Sequence, residues 1–516
     1  MTNLNLRFSR TLKSIVAICL FGVLILPSCK KKERSDISKV LFGEIRNKAF
    51  KNLNADTFAV ILKNAIEAKK SKLANPKLIS AFYESNDYEP AFVLQHFAKG
   101  KLKALPEYLN RSTEHGLDPR IFNAIYINDL VNKFYDKKAI KNQTEAYSNL
   151  ADLEIAVANS LINYSNALQF GVLSPRKIYA NYYTATKRPD SASMSGVFNV
   201  KDLKAYLDSI QPKDPQYEAL QNALKSGAVI PGISKEESSR ILTANMERLR
   251  WKNKPNQKKY VLVNIADYTL DVIEDGQSVL NMKVCVGEGR EKDFSGALKE
   301  YDETGLSKDR PFSRETPQLN SMIHSVQVNP IWNIPESIAT NEITKFAAKD
   351  RFYLSSKNID VYLNGKIVED PETIDFSAAD AGTEYSFKQR PGDDNSLGKI
   401  KFLFQNDESV YLHDTPAKLP FKKDMRAVSH GCVRLEKPLE LARNLFGEGE
   451  KFQVIRKQME IENPEAKDIV LKPQVPVYLT YVTAWSDNKG HIQYRKDVYG
   501  LDVVLDSYMQ RLTANL

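Results

Sequence analysis

The spacing of apolar residues predicts helices in the first half of the chain. In residues 150–171, apolar side chains recur every three or four positions and Gly171 follows the last of them. This pattern is typical of an amphipathic helix that ends at a glycine. A further helix is predicted to begin at Ser234, with Glu237 as its capping-box partner. Residues 76–254 are therefore predicted to form a helical domain.

After Pro255 the apolar period changes to two, which is typical of strands. Residues 260–287 predict three strands, and the Asp-Gly pair between the second and third is a strong hairpin signal. Strand patterns continue to about residue 460, and a segment of different character at 341–397 predicts an inserted cap. The fold class is therefore α+β, with a helical N-terminal domain and a mostly β domain at 255–460.

The two ends of the chain carry further signals. Three basic residues precede an uncharged apolar run that is too short to span a bilayer, and the run ends in a cysteine, Cys29. Residues 1–29 therefore predict a lipoprotein-type signal segment lipidated at Cys29, with simple secretion or an uncleaved anchor as alternatives. Residues 30–75 predict a stalk and a first helix. The pattern of residues 461–516 predicts a C-terminal hairpin that packs on the β domain.

Charge and cysteine usage fit a protein of the cell envelope. Loss of the signal segment would lower the formal net charge from +9 to +6, and the basic residues are not clustered, which speaks against a nucleic-acid groove. A mildly basic chain suits contact with a polyanionic polymer outside the cytoplasm. Cys285 and Cys432 would then be the remaining thiols, too few for a disulfide framework, although one bridge between them stays open. The alternating pattern around Cys285 indicates a cysteine that packs in a strand.

The sequence Ser-His-Gly-Cys-Val-Arg-Leu at 429–435 carries the candidate chemistry. His413 lies upstream, at the end of a strand-like run, so an imidazole can be placed beside the thiol of Cys432. A free thiol with a pKa of about 8.5 is mostly protonated at neutral pH, and a neighbouring histidine that takes the proton removes this limit. Gly431 permits a tight backbone and lets a substrate carbonyl approach the surrounding amides.

These residues resemble a known signature. His413, the spacer 414–428 and the sequence at 429–434 resemble the motif of the L,D-transpeptidases, the YkuD-fold cysteine enzymes that cross-link peptidoglycan. The resemblance extends to the scaffold, connecting helix and cap of the large periplasmic members, at residues 82–92, 115–119, 170–179, 246–251 and 329–339. The chain departs from many large members because the short connection between Gly227 and Ser238 cannot hold a peptidoglycan-binding module.

The resemblance implies roles for individual residues. Cys432 would attack the carbonyl between the third and fourth residues of a stem peptide and release D-alanine, and His413 would be the general base. The amides of Gly431 and Cys432 would form the oxyanion hole, in a loop shaped by Ser429 and His430. In this family the group that orients the histidine is usually a backbone carbonyl, so the side chain of Asp414 is a weaker candidate for this role.

Other residues have less specific assignments. Arg434 either meets a stem-peptide carboxylate or holds the loop by internal hydrogen bonds, and the second role is favoured. Tyr411 and Trp332 are expected in the core or the cleft wall. A zinc site formed by His413, His430 and Cys432 is an alternative that the spacing does not favour. Two further sites are disfavoured: His324 is expected to be a strand residue rather than a catalyst, and Gly287 and Gly289 do not predict a nucleotide site.

The sequence therefore predicts a peptidoglycan L,D-transpeptidase that uses no cofactor. Its expected partners are peptidoglycan stem peptides and, through the lipid, a membrane; no nucleic acid is expected. Its expected location is the cell envelope, on the periplasmic side. The alternatives are an L,D-carboxypeptidase, a transferase that attaches another protein or amine to stems, and a non-catalytic cell-wall scaffold.

Overall fold

The computed structural model describes residues 35–251, 253, 255–289, 314–462, 464–487 and 489–514. The predicted signal segment 1–29 and its Cys29 lie outside these ranges. Among the described helices, none has both the length and the apolar character that crossing a bilayer requires.

The N-terminal half consists of helices that share one buried core. At its centre lies α7, whose residues Leu150 and Leu168 and the apolar positions between them are buried as the period predicts. Gly171 follows α7 with a positive φ of 77°. The helices are α1 Asp36–Ile45, α2 Ala55–Lys69, α3 Pro76–Ser85, α4 Ala91–His96, α5 Ala104–Asn110, α6 Ala124–Tyr135, α7 Gln143–Phe170, α8 Pro175–Ile178, α9 Ser191–Ser195, α10 Leu203–Ser209, α11 Pro215–Ser226 and α12 Lys235–Arg250.

The segment predicted as a stalk belongs to this core from Asp36 onward. Leu41 on α1 and Phe58 and Leu62 on α2 are fully buried in the same cluster as Leu150 of α7. The prediction of a stalk within residues 30–75 is therefore wrong for the described part, because its apolar residues complete the helical core instead of facing water. The charged residues that indicated a stalk lie on the outer faces of these helices.

The C-terminal half is built on a nine-stranded sheet, in the order β11-β3-β12-β10-β9-β4-β13-β1-β2 within the described residues. Because β2 also pairs with β3, the sheet closes on itself around an apolar core. The three strands predicted in residues 260–287 are confirmed as β1–β3. The strands are β1 Lys259–Asn264, β2 Thr269–Glu274, β3 Gln277–Gly287, β4 Leu319–Val328, β9 Ile400–Phe404, β10 Leu412–His413, β11 Ala427–Ser429, β12 Val433–Leu435 and β13 Lys467–Thr480.

The predicted insertion is a separate unit, called the cap below. Its four strands, β5 Trp332–Ile334, β6 Ile359–Leu363, β7 Lys366–Ile367 and β8 Tyr385–Gln389, form a second sheet. Short helical turns cover this sheet: α13 Glu336–Ile338, a π-helical turn at Ala339–Ile343, α14 Thr344–Ala347, α15 Tyr353–Ser356 and α16 Ala381–Glu384. The cap begins at β5, before the predicted boundary at residue 341, because β5 pairs with β8. Together these observations give the predicted α+β fold with an inserted cap.

The C-terminal segment differs from the prediction of a hairpin on the β domain. After α17 Pro438–Phe446 and α18 Glu450–Gln458, β13 enters the sheet between β4 and β1. A hairpin does follow, formed by β14 Ala484–Ser486 and β15 Ile492–Tyr494, but it contacts α11 and α12 of the helical half. The final helix, α19 Leu501–Ala514, also packs on α12. The chain therefore returns to the helical half after completing the sheet.

Buried polar contacts join the two halves. Arg248 of α12 pairs with Asp502 of α19, and both side chains are almost fully buried. Asn245 of α12 donates to the Thr483 hydroxyl at 2.7 Å, and that hydroxyl donates to Asp502 at 2.7 Å. Because breaking one partner of a buried charge pair leaves the other uncompensated, these contacts hold α12 against the C-terminal segment.

Candidate active site

Two adjacent parallel strands carry the candidate residues. β10 pairs with β12 so that Leu412 lies opposite Val433 and His413 lies opposite Arg434. Leu412 and Val433 point into the apolar core, so His413 and Arg434 point to the other face, because side chains alternate along a strand. Cys432 precedes β12 directly, and the next amide, of Val433, donates to the Tyr411 carbonyl at 3.1 Å. The sheet therefore brings Cys432 beside Tyr411, two residues before His413.

His413 is held in one tautomer. Its side chain is buried, and Nδ1 lies 2.5 Å from the backbone oxygen of Asp414. Because a carbonyl oxygen only accepts hydrogen bonds, Nδ1 carries the proton and Nε2 keeps its lone pair. Burial, and after it the positive charge of Arg434, lower the pKa of His413 to about 4 despite the raising effect of the Asp414 carbonyl. The imidazole is therefore neutral near pH 7 and can accept a proton through Nε2.

The side chain of Asp414 is directed elsewhere. Its carboxylate pairs with Lys418 at 2.7 Å and accepts the Lys399 amide at 2.9 Å. It also fills the space beside Gly398, where an added Cβ would lie 2.4 Å from the carboxylate. The carbonyl of Asp414, and not its carboxylate, is therefore the group that orients His413.

Cys432 is a free, partly exposed thiol whose Sγ is 4.0 Å from the Ser409 carbonyl oxygen. Burial raises its pKa, while the backbone and hydroxyl of Tyr411 and the charges of Arg434 and Lys401 act in the opposite direction. In the described part of the chain no hydrogen bond joins His413 to Cys432. A neutral imidazole at the end of β10 and a protonated thiol directly before β12 therefore lie on neighbouring segments of the sheet.

The loop 429–432, called the Cys432 loop below, is tightly hydrogen-bonded. The buried Ser429 hydroxyl donates to the Cys432 carbonyl at 2.6 Å and accepts the Gly431 amide at 3.3 Å. Gly431 has a φ of 116°, which favours glycine. The Gly431 amide is thus engaged by Ser429, whereas within the described ranges the Cys432 amide has no partner. Of the two amides predicted for an oxyanion hole, only that of Cys432 is free to receive an oxygen.

Thr316 supports the Cys432 loop, and sequence analysis did not indicate this role. Its hydroxyl donates to the Gly431 carbonyl at 2.7 Å and accepts the Gly287 amide at 2.8 Å. Tyr499 continues this network, because its hydroxyl accepts the Thr316 amide at 3.1 Å and donates to the Gly287 carbonyl at 2.8 Å. Thr316, Gly287 and Tyr499 are far apart in the chain, so no local motif could have indicated the contact.

Lys401, His413 and Arg434 form one row across β9, β10 and β12. Residues directly opposite in a sheet share a face, so two cations flank the imidazole. In the described residues the side chain of Arg434 makes no hydrogen bond or ion pair, and its buried Nε atom is without a partner. The favoured prediction that Arg434 holds the loop by internal hydrogen bonds is therefore wrong, because its guanidinium reaches none of the loop's acceptors.

The remaining predicted residues take various places. Tyr411 lines the site, with its ring 5.7 Å from that of His413. Trp332 lies on β5, in the apolar cluster of the cap. His324 is a strand residue on β4, with Nδ1 2.9 Å from the Ser325 hydroxyl. Cys285 is free and buried on β3, so the bridge to Cys432 is not formed.

The zinc alternative lacks its ligand cluster. His430 directs Nε2 to Glu342 of the cap at 2.6 Å, while His413 directs Nδ1 to the Asp414 carbonyl. Over the ranges that the structure describes, no group of three or more His, Cys, Asp or Glu side chains is placed to hold a metal ion. The three residues therefore do not converge in this conformation.

Comparisons with known proteins identify two domains in the chain. Residues 258–454 match the family described as the L,D-transpeptidase catalytic domain, YkuD, and residues 77–224 match the Scaffold domain. A "Putative L,D-transpeptidase" from Haemophilus influenzae is 29% identical over 326 residues, which are 63% of this chain and 61% of that relative. The chain thus spans less than two thirds of that relative's length. In this order along the chain, a Scaffold domain is thus followed by an L,D-transpeptidase catalytic domain of the YkuD type.

Proposed function

We propose that the protein is a peptidoglycan L,D-transpeptidase in which Cys432 is the nucleophile and His413 the general base. The observation that carries this proposal is the placement of a neutral, oriented imidazole and a free thiol on adjacent strands of the family's catalytic domain. A base with a free lone pair and a nearby thiol are the two groups that acyl transfer through a thioester needs.

The first half-reaction forms the thioester. Cys432 rotates from Ser409 toward the substrate, gives its proton to Nε2 of His413, and attacks the carbonyl between the third and fourth residues of a tetrapeptide stem. The carbonyl oxygen becomes an oxyanion that the Cys432 amide stabilises. When the carbon–nitrogen bond breaks, the imidazolium returns the proton to the amine of the departing D-alanine.

The second half-reaction transfers the acyl group. An amine on the third residue of a neighbouring stem attacks the thioester carbonyl, and His413 accepts the proton that the amine loses. The carbon–sulfur bond breaks, a new amide forms, and the thiolate regains a proton. Because the pKa of Cys432 is raised and that of His413 is about 4, the resting pair is neutral and the proton moves only during attack.

Arg434 and Tyr411 are assigned to the substrate side of the site. Among the described residues the side chain of Arg434, on the face of His413, has no hydrogen-bond or ion-pair partner, so we infer that it meets a carboxylate of the stem peptide. The hydroxyl of Tyr411 lowers the pKa of the Cys432 thiol, so we infer that it lies beside the sulfur of the thioester.

The cellular setting is part of the same proposal. We propose that the protein is anchored in the cell envelope through a lipid on Cys29, which rests on the sequence of the signal segment alone. Labelling of cells with a fatty-acid analogue tests this. A labelled wild-type protein and an unlabelled Cys29→Ala variant support the anchor, and an unlabelled wild type excludes it.

The activity is tested with a purified disaccharide-tetrapeptide and product analysis by mass spectrometry. Dimers that lack one D-alanine and that disappear in Cys432→Ala support the transpeptidase. Tripeptide alone, again dependent on Cys432, would instead indicate an L,D-carboxypeptidase. If neither protein turns over the substrate while both keep the same thermal unfolding, the chain is a non-catalytic scaffold.

A further inference from the structure

One carboxylate of the cap contacts the Cys432 loop. Glu342 lies in the π-helical turn of the cap, and its Oε1 is 2.6 Å from Nε2 of His430. The same oxygen accepts from Nη2 of Arg314 at 2.7 Å. A single oxygen therefore bridges the cap, the Cys432 loop and the segment that leads into β4.

The contacts of Arg314 close a ring around the loop. Its Nη1 donates to the carboxylate of Glu288 at 3.0 Å, and the Glu288 amide donates to the Ser429 carbonyl at 2.9 Å. Ser429 is the residue before His430, so the ring returns to the loop from which it started. The cap cannot move away from the Cys432 loop without breaking both contacts of Glu342.

The exposure of these side chains indicates a contact that can open. The exposed fractions are 30% for Glu342, 29% for His430 and 33% for Arg314. Partly exposed polar contacts of this kind contribute little to folding stability. The Glu342 contacts therefore fit a contact between two parts that separate for substrate entry and meet again.

We propose that Glu342 is a positioning residue that holds the cap closed over the thioester. This inference rests on the proposed transpeptidase function. In the competing reaction, water attacks the thioester carbonyl, the carbon–sulfur bond breaks, and the tripeptide acid and the Cys432 thiol result. A cap held on His430 excludes this water, so Glu342 favours transfer to the acceptor amine over hydrolysis.

The test uses the full-length protein with disaccharide-tetrapeptide and measures the ratio of dimer to tripeptide. Glu342→Ala should lower this ratio about threefold, since the lost contacts are partly exposed: one ion pair with Arg314 and one hydrogen bond with His430. Glu342→Gln, which keeps an acceptor oxygen, should lie between it and wild type. The matched control is Glu369→Ala, an exposed glutamate of the cap. The burst of D-alanine released by the first half-reaction should be unchanged.

Equal product ratios in Glu342→Ala and Glu369→Ala would overturn the proposal. If wild type yields only tripeptide, the transpeptidase proposal fails, and the lifetime of the acyl-enzyme, measured by intact mass, decides instead. A shorter lifetime in Glu342→Ala than in wild type supports the role of Glu342, and an equal lifetime refutes it. If no acyl-enzyme forms, hydrogen exchange at 427–433 decides: faster exchange in Glu342→Ala than in Glu369→Ala supports the contact, and identical exchange refutes it.

Discussion

Nδ1–H of His413 donates a hydrogen bond to the backbone carbonyl of Asp414, 2.5 Å away, while the carboxylate of the same Asp414 pairs with Lys418. The backbone carbonyl therefore orients the imidazole, and substitution of the Asp414 side chain does not remove this carbonyl. The pKa of His413, lowered to about 4 by burial, keeps the ring neutral at pH 7 whatever the charge of residue 414.

This geometry predicts a large difference between two substitutions. His413→Gln should lower kcat about 10²- to 10⁴-fold, the usual contribution of a general base. Asp414→Asn should stay within about threefold of wild type, because the carbonyl is retained and the lost pair with Lys418 is partly exposed. Steady-state kinetics at pH 7.5 measure both. A collapse of kcat in Asp414→Asn with unchanged thermal unfolding would show that the carboxylate itself orients His413.

A second prediction concerns the thiol. Burial raises the pKa of Cys432 and the Tyr411 hydroxyl lowers it. The rate of alkylation by iodoacetamide should therefore increase with pH, with a midpoint at a higher pH than for an ordinary thiol. Tyr411→Phe removes the lowering effect and should shift this profile to higher pH. Tyr362→Phe, in the cap, is the control and should leave it unchanged. An inflection between pH 5 and 7 in wild type would instead indicate a thiolate–imidazolium pair.

A third prediction concerns Arg434. If it meets the terminal carboxylate of the donor stem, wild type should prefer a tetrapeptide acid over its amide by about tenfold or more in kcat/KM, the effect of a hydrogen bond to a charged group. Arg434→Met should bring this preference close to one. The loss of the Arg434 charge also affects His413, but this effect is the same for both substrates and cancels in the ratio of their kcat/KM values. Arg443→Met on α17 is the control, and a preference that survives in Arg434→Met would assign the carboxylate to another group.

Parts of the fold followed from local pattern, and parts could not. The apolar period placed α7 and the three strands β1–β3 because each pattern reflects burial within a single element. The capping box at Ser234 is only half formed: its hydroxyl accepts the Glu237 amide, but the Glu237 carboxylate pairs with Arg240. A neighbour one turn further along competes for that carboxylate, and the motif does not report such competition.

The site divides in the same way. The motif indicated that His413 and Cys432 can lie near each other and that Gly431 permits a tight backbone, and Gly431 has a positive φ. The contacts of Thr316 and Glu342 join segments that are distant in sequence. They depend on how the cap and the strands meet, so the sequence of one chain carried no signal for them.

A fourth prediction follows from Thr316. Thr316→Val keeps the shape of the side chain but leaves the Gly431 carbonyl and the Gly287 amide without their partner, at a cost of about 1–3 kcal/mol in unfolding free energy. It should also lower kcat, because the Cys432 loop loses a fixed point. Thr480→Val on β13 is the control, since it removes one hydrogen bond, to the Val263 carbonyl, away from the loop. Denaturation and steady-state kinetics separate the two effects, and an unchanged kcat in Thr316→Val would contradict the supporting role.

The last prediction tests whether residues 36–75 are part of the helical core. Leu62 of α2 is fully buried, whereas Val60 on the same helix is 61% exposed. Leu62→Ala should therefore cost about 2–5 kcal/mol in unfolding free energy, because truncation leaves a cavity in the core. Val60→Ala should change the free energy by less than about 0.5 kcal/mol. Urea unfolding followed by circular dichroism measures both variants. A flexible stalk would give two small and similar values, since neither side chain would then lose buried contacts.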